Sequence, residues 1–188
     1  MLSKYKLEEL MEQFNSSQDS IRIVTIVSPT CPECLQGFEV VKKLFQRFDT
    51  NKMRGFIIWI PMLEKDDEQA AQAKSVTFED HKITQLWDQD RSAGRLFGST
   101  LRLQNGVAWD VYLLYSPRIK WENEEEAPEP SFWMHQLDSG DSSLRLDTAR
   151  FSDETKFLLD AEDPDLSDRG VEQVLLDKKK KVKQENSG

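Results

Sequence analysis

The apolar positions of this chain repeat with two different periods. Leu7, Leu10, Met11 and Phe14 recur at i, i+3, i+4 and i+7, which predicts an amphipathic helix over 4–16. The polar stretch Asn15-Ser16-Ser17-Gln18-Asp19-Ser20 breaks it, and the Ile- and Val-rich run 21–28 predicts a buried strand. Leu35, Phe38, Val41, Leu44, Phe45 and Phe48 then form one helical stripe over 32–48, with Pro32 in the first turn, where its missing N–H costs nothing. A second apolar strand, 55–61, completes a β-α-β unit whose strands should lie parallel with a right-handed crossover.

Further on, 64–75 predicts a helix and 83–87 a strand closed by the turn Asp88-Gln89-Asp90. A short helix over 91–97 should stop at Gly98. Ala108 to Tyr115 and 131–137 predict a hairpin around an unusually long loop, and 148–161 the last strong helix. Loop 117–130 carries Glu122, Glu124, Glu125, Glu126 and Glu129 with Pro128 and Pro130, a composition expected to stay solvated and mobile. The expected organisation is one domain over 1–162 and a largely flexible C-terminal tail over 163–188.

Charge and composition narrow the function classes. With 25 basic against 34 acidic residues and a net charge of −9, the chain offers no basic, aromatic-interleaved face for a phosphate backbone, so no nucleic-acid partner is expected. The run Lys178 to Lys181, with Lys183 beyond it, reads as a solvated cluster. No segment approaches the roughly 20 apolar residues of a membrane span, and the first residues lack the apolar core of a secretory signal. The expectation is a cytoplasmic protein with no membrane partner. Its oligomeric state is not legible.

Both cysteines lie in one tetrapeptide, Cys31-Pro32-Glu33-Cys34, where the first strand hands over to the Pro32 helix. A strand, then C-x-x-C, then a helix resembles the redox site of the thioredoxin-like superfamily, and the element order over about 20–161 resembles that fold. The resemblance implies an α/β fold with a central mixed sheet flanked by helices. It further implies a thiol-disulfide oxidoreductase with no cofactor, acting on a disulfide-containing protein or a small thiol and served by an upstream reductase.

Two positions depart from that pattern. Better-known members open the strand facing the cysteines with a cis-proline, and Trp109 of Ala108-Trp109-Asp110 stands there instead. Their buried acid, six residues before the first cysteine, is replaced by Thr25, leaving water, Glu33 or Asp110 to move the proton of the resolving cysteine.

Cys31, at a helix N-terminus, should have a pKa lowered toward about 7 and should be the exposed nucleophile. Cys34, one turn on and better covered, suits the resolving role. Thr30, Pro32, Glu33, Trp109 and Asp110 are the expected walls of the site. Of the five tryptophans, Trp59, Trp87, Trp109 and Trp133 fall on predicted strands. No metal is expected, because His81 and His135 are the only histidines and neither has a second at ligand spacing. The competing reading is a non-catalytic thioredoxin-fold binding or adaptor protein whose cysteine pair is structural or metal-holding.

Overall fold

A computed structural model describes residues 1–138 and 140–161. The tail expected over 163–188 lies outside the described residues. The elements are β1 (Leu2–Lys4), α1 (Leu7–Ser16), β2 (Ile21–Val27), α2 (Pro32–Arg47), β3 (Met53–Trp59), α3 (Glu68–Ser75), β4 (Ile83–Trp87), α4 (Ser92–Thr100), β5 (Val111–Tyr115), β6 (Phe132–His135) and α5 (Thr148–Ala161), with a 3-10 turn at Ser142–Leu144 before α5.

Six strands form one mixed sheet in the order β1-β4-β3-β2-β5-β6. β2, β3, β4 and β1 run parallel, while β5 pairs antiparallel with β2, and β6 with β5. The β2-α2-β3 crossover and the β5-β6 hairpin agree with the sequence reading.

Strand alternation divides the core between two faces. Ile21, Ile23 and Val27 pack with Phe38, Val41 and Phe45 of α2. Val24 and Ile26 pack with Leu10 and Phe14 of α1 and with Phe97 of α4. Thr25 shares parity with the first set and is fully buried, and its Oγ1 has no hydrogen-bond partner among the described residues.

Several expected boundaries move for local reasons. The first helix begins at Leu7 because Leu2–Lys4 instead adds an edge strand to β4. The helix expected from residue 64 begins at Glu68, where the Asp67 carboxylate accepts from Ala70 N at 2.7 Å and caps it. Gly98 does not stop α4 but lies inside it. A Cβ there would sit 2.6 Å from the Gly106 carbonyl oxygen, so the glycine permits a close backbone contact. β5 starts at Val111 rather than 108, since Ala108 N donates to Gly94 O at 2.7 Å and so docks on α4 instead of joining the ladder.

The acidic loop is the largest correction. Glu122 to Glu126 are exposed, but Trp121 and Ala127 are 2% exposed. The Trp121 ring meets Phe14 and Phe97 edge-on at centroid distances of 5.7 and 5.4 Å. Asn15 exchanges two hydrogen bonds with the Trp121 backbone, at 2.9 and 2.8 Å. The buried Arg22 guanidinium donates to the carbonyls of Ser116 and Ile119. The loop is therefore a packed flap, anchored by buried residues while its charged side chains stay solvated.

Candidate active site

β2 ends at Val27 beside β3 and β5, and the chain turns through Ser28-Pro29-Thr30 into α2. The turn is held from outside by Asp66. Its carboxylate accepts five hydrogen bonds, from Ser28 Oγ, Thr30 N, Thr30 Oγ1, Met62 N and Leu63 N, at 2.7 to 3.0 Å. Burial pushes the Asp66 pKa up, but the hydrogen bonds from Thr30, Leu63, Ser28 and Met62 outweigh it and hold the group below its ordinary value. Thr30 is thus fixed in the turn that leads into Cys31, through its backbone as well as its hydroxyl.

Cys31 is the N-cap of α2. Its backbone is extended and its Sγ accepts from Cys34 N at 3.3 Å, satisfying one of the helix's free amides, while Pro32 takes the next position. Both thiols are free. Cys31 is 4% exposed and Cys34 is closed to solvent, so the expected order of accessibility holds while the expected exposure of Cys31 does not.

The expected lowering of the Cys31 pKa is likewise reversed. Burial is the largest influence and pushes it up, contacts from Cys34 pull it down, and the nearby Asp110 charge and the Glu33 hydrogen bond push it up again, with a net rise. The Cys31 thiol donates to Glu33 Oε2 at 3.6 Å, a bond that favours the neutral form. Cys34 is pushed up far more, by burial first and the Asp110 charge second.

Asp110 is the residue that the fold brings to the cysteines. The two Sγ atoms and a carboxylate oxygen of Asp110 all lie within 4.8 Å of one another, and all three residues are buried. Asp110 immediately precedes β5 with φ of 53°, a left-handed conformation that Asp tolerates better than most residues. Among the described residues no peptide bond is cis.

Tyr112 donates its hydroxyl to Asp110 Oδ1 at 2.6 Å, and Gln136 Nε2 donates to the same oxygen at 3.0 Å and to Glu33 O at 2.7 Å. Gln136 therefore ties the end of β6 to the first turn of α2. Tyr112 reaches α2 because Gly37 leaves room: a Cβ there would overlap the phenol oxygen.

The other expected site residues fall as follows. Pro32 and Glu33 are exposed on the first turn of α2. Trp109 is half-buried and packs against both core clusters rather than lying within a strand. His135 is buried away from any ligand role: its Nδ1 accepts from Leu137 N at 3.0 Å, so Nε2 carries the proton and donates to Asp141 O. His81 is exposed beside Asp80. Asp66, Tyr112, Gln136 and Gly37 were not singled out from sequence. Gly37 was the one visible signal, since a glycine inside a helix is unfavourable by about 1 kcal/mol relative to alanine and marks a close approach.

No family model matches this sequence, and no curated protein matches it. Solved structures do. A solution structure assigned as a thioredoxin from Neisseria meningitidis superposes with a TM-score of 0.55 at 13% identity, covering 84% of this chain and 87% of that one. DsbF of Mycobacterium tuberculosis, determined in mixed oxidised and reduced forms, gives 0.45 at 14% identity, over 76% and 84% of the two chains. At this identity the likeness is one of fold, and it rests on the first of these: the chain has the thioredoxin-like fold.

Proposed function

We propose that the chain is a thiol-disulfide oxidoreductase working through the Cys31–Cys34 dithiol/disulfide couple. The observation that carries the reading is the buried triad of Cys31, Cys34 and Asp110 at the N-terminus of α2. A carboxylate within 4.8 Å of both sulfurs is an acid–base group within reach of the proton that the resolving thiol must lose, which a cysteine pair serving packing alone would not need.

In the reducing direction the Cys31 thiolate attacks a substrate disulfide. A Cys31–substrate S–S bond forms, the substrate S–S bond breaks, and the departing sulfur takes a proton. Cys34 then gives its proton to Asp110 and attacks Cys31 Sγ. The intramolecular disulfide forms, the second substrate thiol leaves, and two electrons have passed to the substrate. An upstream reductase or thiol restores the pair. Asp110 thus supplies from the β5 side the acid–base group that Thr25 lacks, while Thr30, Pro32, Glu33 and Trp109 make the rim that a disulfide-bearing protein would touch. A cytoplasmic location is part of the same proposal, and cell fractionation tests it. Among the described residues no helix is long and apolar enough to cross a membrane.

Trapping decides the matter. Cys34→Ser should hold a protein substrate as a mixed disulfide on Cys31, and wild type should turn over insulin disulfides with dithiol as electron source. Absence of both the trapped adduct and turnover would refute the proposal.

A further inference from the structure

The three atoms that serve disulfide exchange also form a metal-ligand set. Cys31 Sγ, Cys34 Sγ and an Asp110 carboxylate oxygen lie within 4.8 Å of one another. Zn–S bonds of about 2.3 Å in a tetrahedral site put two sulfurs about 3.8 Å apart, so closing on an ion needs a contraction of about 1 Å or less per edge. Two soft sulfurs with one carboxylate select a zinc-class ion over magnesium or calcium. The hydrogen bonds from Tyr112 and Gln136 both go to Asp110 Oδ1, so the carboxylate is oriented by its neighbours, as ligating carboxylates are. Glu33 Oε2 lies 3.6 Å from Cys31 Sγ but is not one of the atoms that stand within 4.8 Å of each other, so the fourth position is left to water.

We propose that the reduced chain binds one zinc-class divalent cation through Cys31, Cys34 and Asp110, with water as fourth ligand. The inference shares the thiols of the redox reading but not its chemistry. Binding is an exchange without electron transfer: two S–H bonds are lost, two metal–sulfur bonds form and two protons are released. The ion neutralises most of the three negative charges that thiolate formation would otherwise crowd together. Metal and disulfide then exclude each other, because an oxidised pair has no thiolate to donate. A zinc-loaded chain is withheld from disulfide exchange until the ion is removed.

The test is titration of the reduced full chain with Zn2+ against a chromophoric chelator, with no disulfide substrate present. The expected result is one Zn2+ per chain, loss of binding on oxidation of the same protein, loss in Cys34→Ser, and affinity at least about tenfold weaker in Asp110→Asn. No stoichiometric binding, or equal affinity in Asp110→Asn, overturns the proposal. Should Asp110→Asn not fold, X-ray absorption of zinc-loaded wild type decides. Two sulfurs with two or more light donors support the site, whereas four sulfurs mean that two chains share one ion and overturn it. Exchange activity is measured separately in the presence of chelator. A chain that exchanges disulfides without binding zinc loses this inference alone, and one that binds zinc without exchange loses the redox reading alone.

Discussion

The Tyr112 hydroxyl donates to Asp110 Oδ1 at 2.6 Å, so a residue inside β5 holds the carboxylate that sits just outside it. The geometry explains how an acid can be kept buried beside two thiols. One oxygen is satisfied by Tyr112 and Gln136, and the left-handed turn at Asp110 brings the group to the sulfurs.

Asp110→Asn should therefore divide the two halves of the exchange reaction. Removing the charge takes away one of the influences that raise the Cys31 pKa, so alkylation of Cys31 at neutral pH should quicken. Resolution of a Cys31 mixed disulfide should slow by about a hundredfold, as the loss of a general base predicts. Stopped-flow measurement of both steps checks the pair of signs. Slowing of both steps together would mean that the substitution merely disturbs the site.

Because Cys31 and Cys34 are both raised, the pH dependence has a definite direction. The rate of Cys31 alkylation should still be climbing at about pH 8.5, the ordinary thiol value, instead of levelling off near 7. Folded-state thiol pKa values above the unfolded ones favour the protonated folded form. That stability is full below about pH 8.5 and is lost as pH rises toward the folded values, when the unfolded chain ionises first. Thermal unfolding of the reduced protein should fall between about pH 8 and 10 by more than that of a Cys31→Ser, Cys34→Ser double variant.

Asp66→Ala should loosen the turn that leads into Cys31. Five donors lose their acceptor at once, Ser28 Oγ among them, and charged hydrogen bonds contribute about 1.5–3 kcal/mol each, though not additively. A loss of about 2–4 kcal/mol in urea unfolding is expected. The lowered Asp66 pKa adds a sign: this stability is present above the unfolded carboxylate value of about 3.9 and disappears as pH falls through the folded value, so wild type and variant should converge in acid.

What was legible in the sequence and what was not divides along contact distance. The β2-α2-β3 unit and the C-x-x-C junction were readable because their signals are local: an apolar run, a stripe of period 3.6, and a proline at the first helical position. β1 was not, since three residues with two exposed make no pattern and the strand exists only because β4 offers an edge. Asp110 was noted as one of several proton-handling groups, but its place beside the sulfurs depends on β5 pairing with β2 and on a backbone turn that no local motif announces. The Cys31 pKa was misjudged because the helix N-terminus and Glu33 are visible in sequence while burial and the Asp110 charge are not. Composition misled in the acidic loop, where a row of glutamates hid the two residues that anchor it.

Those anchors give the last prediction. Loop 117–130 should not be exchangeable for a short Gly-Ser linker. Trp121 fills a site between Phe14 and Phe97, Thr100 Oγ1 donates to Ala127 O at 3.1 Å, and Tyr115 donates to Pro128 O at 3.1 Å. Deleting the loop would uncover the apolar face of α1 and α4 and leave the buried Arg22 guanidinium without the Ile119 carbonyl it now meets. Trp121→Ala alone should lower stability by about 3–5 kcal/mol, as for other large aromatic truncations in a core. Glu124→Gln and Glu125→Gln, at the exposed tip, should change it by less than about 0.5 kcal/mol. Urea unfolding followed by far-UV circular dichroism separates the two sets. A Gly-Ser chain with an unchanged midpoint would show that the flap contributes nothing to the body it covers.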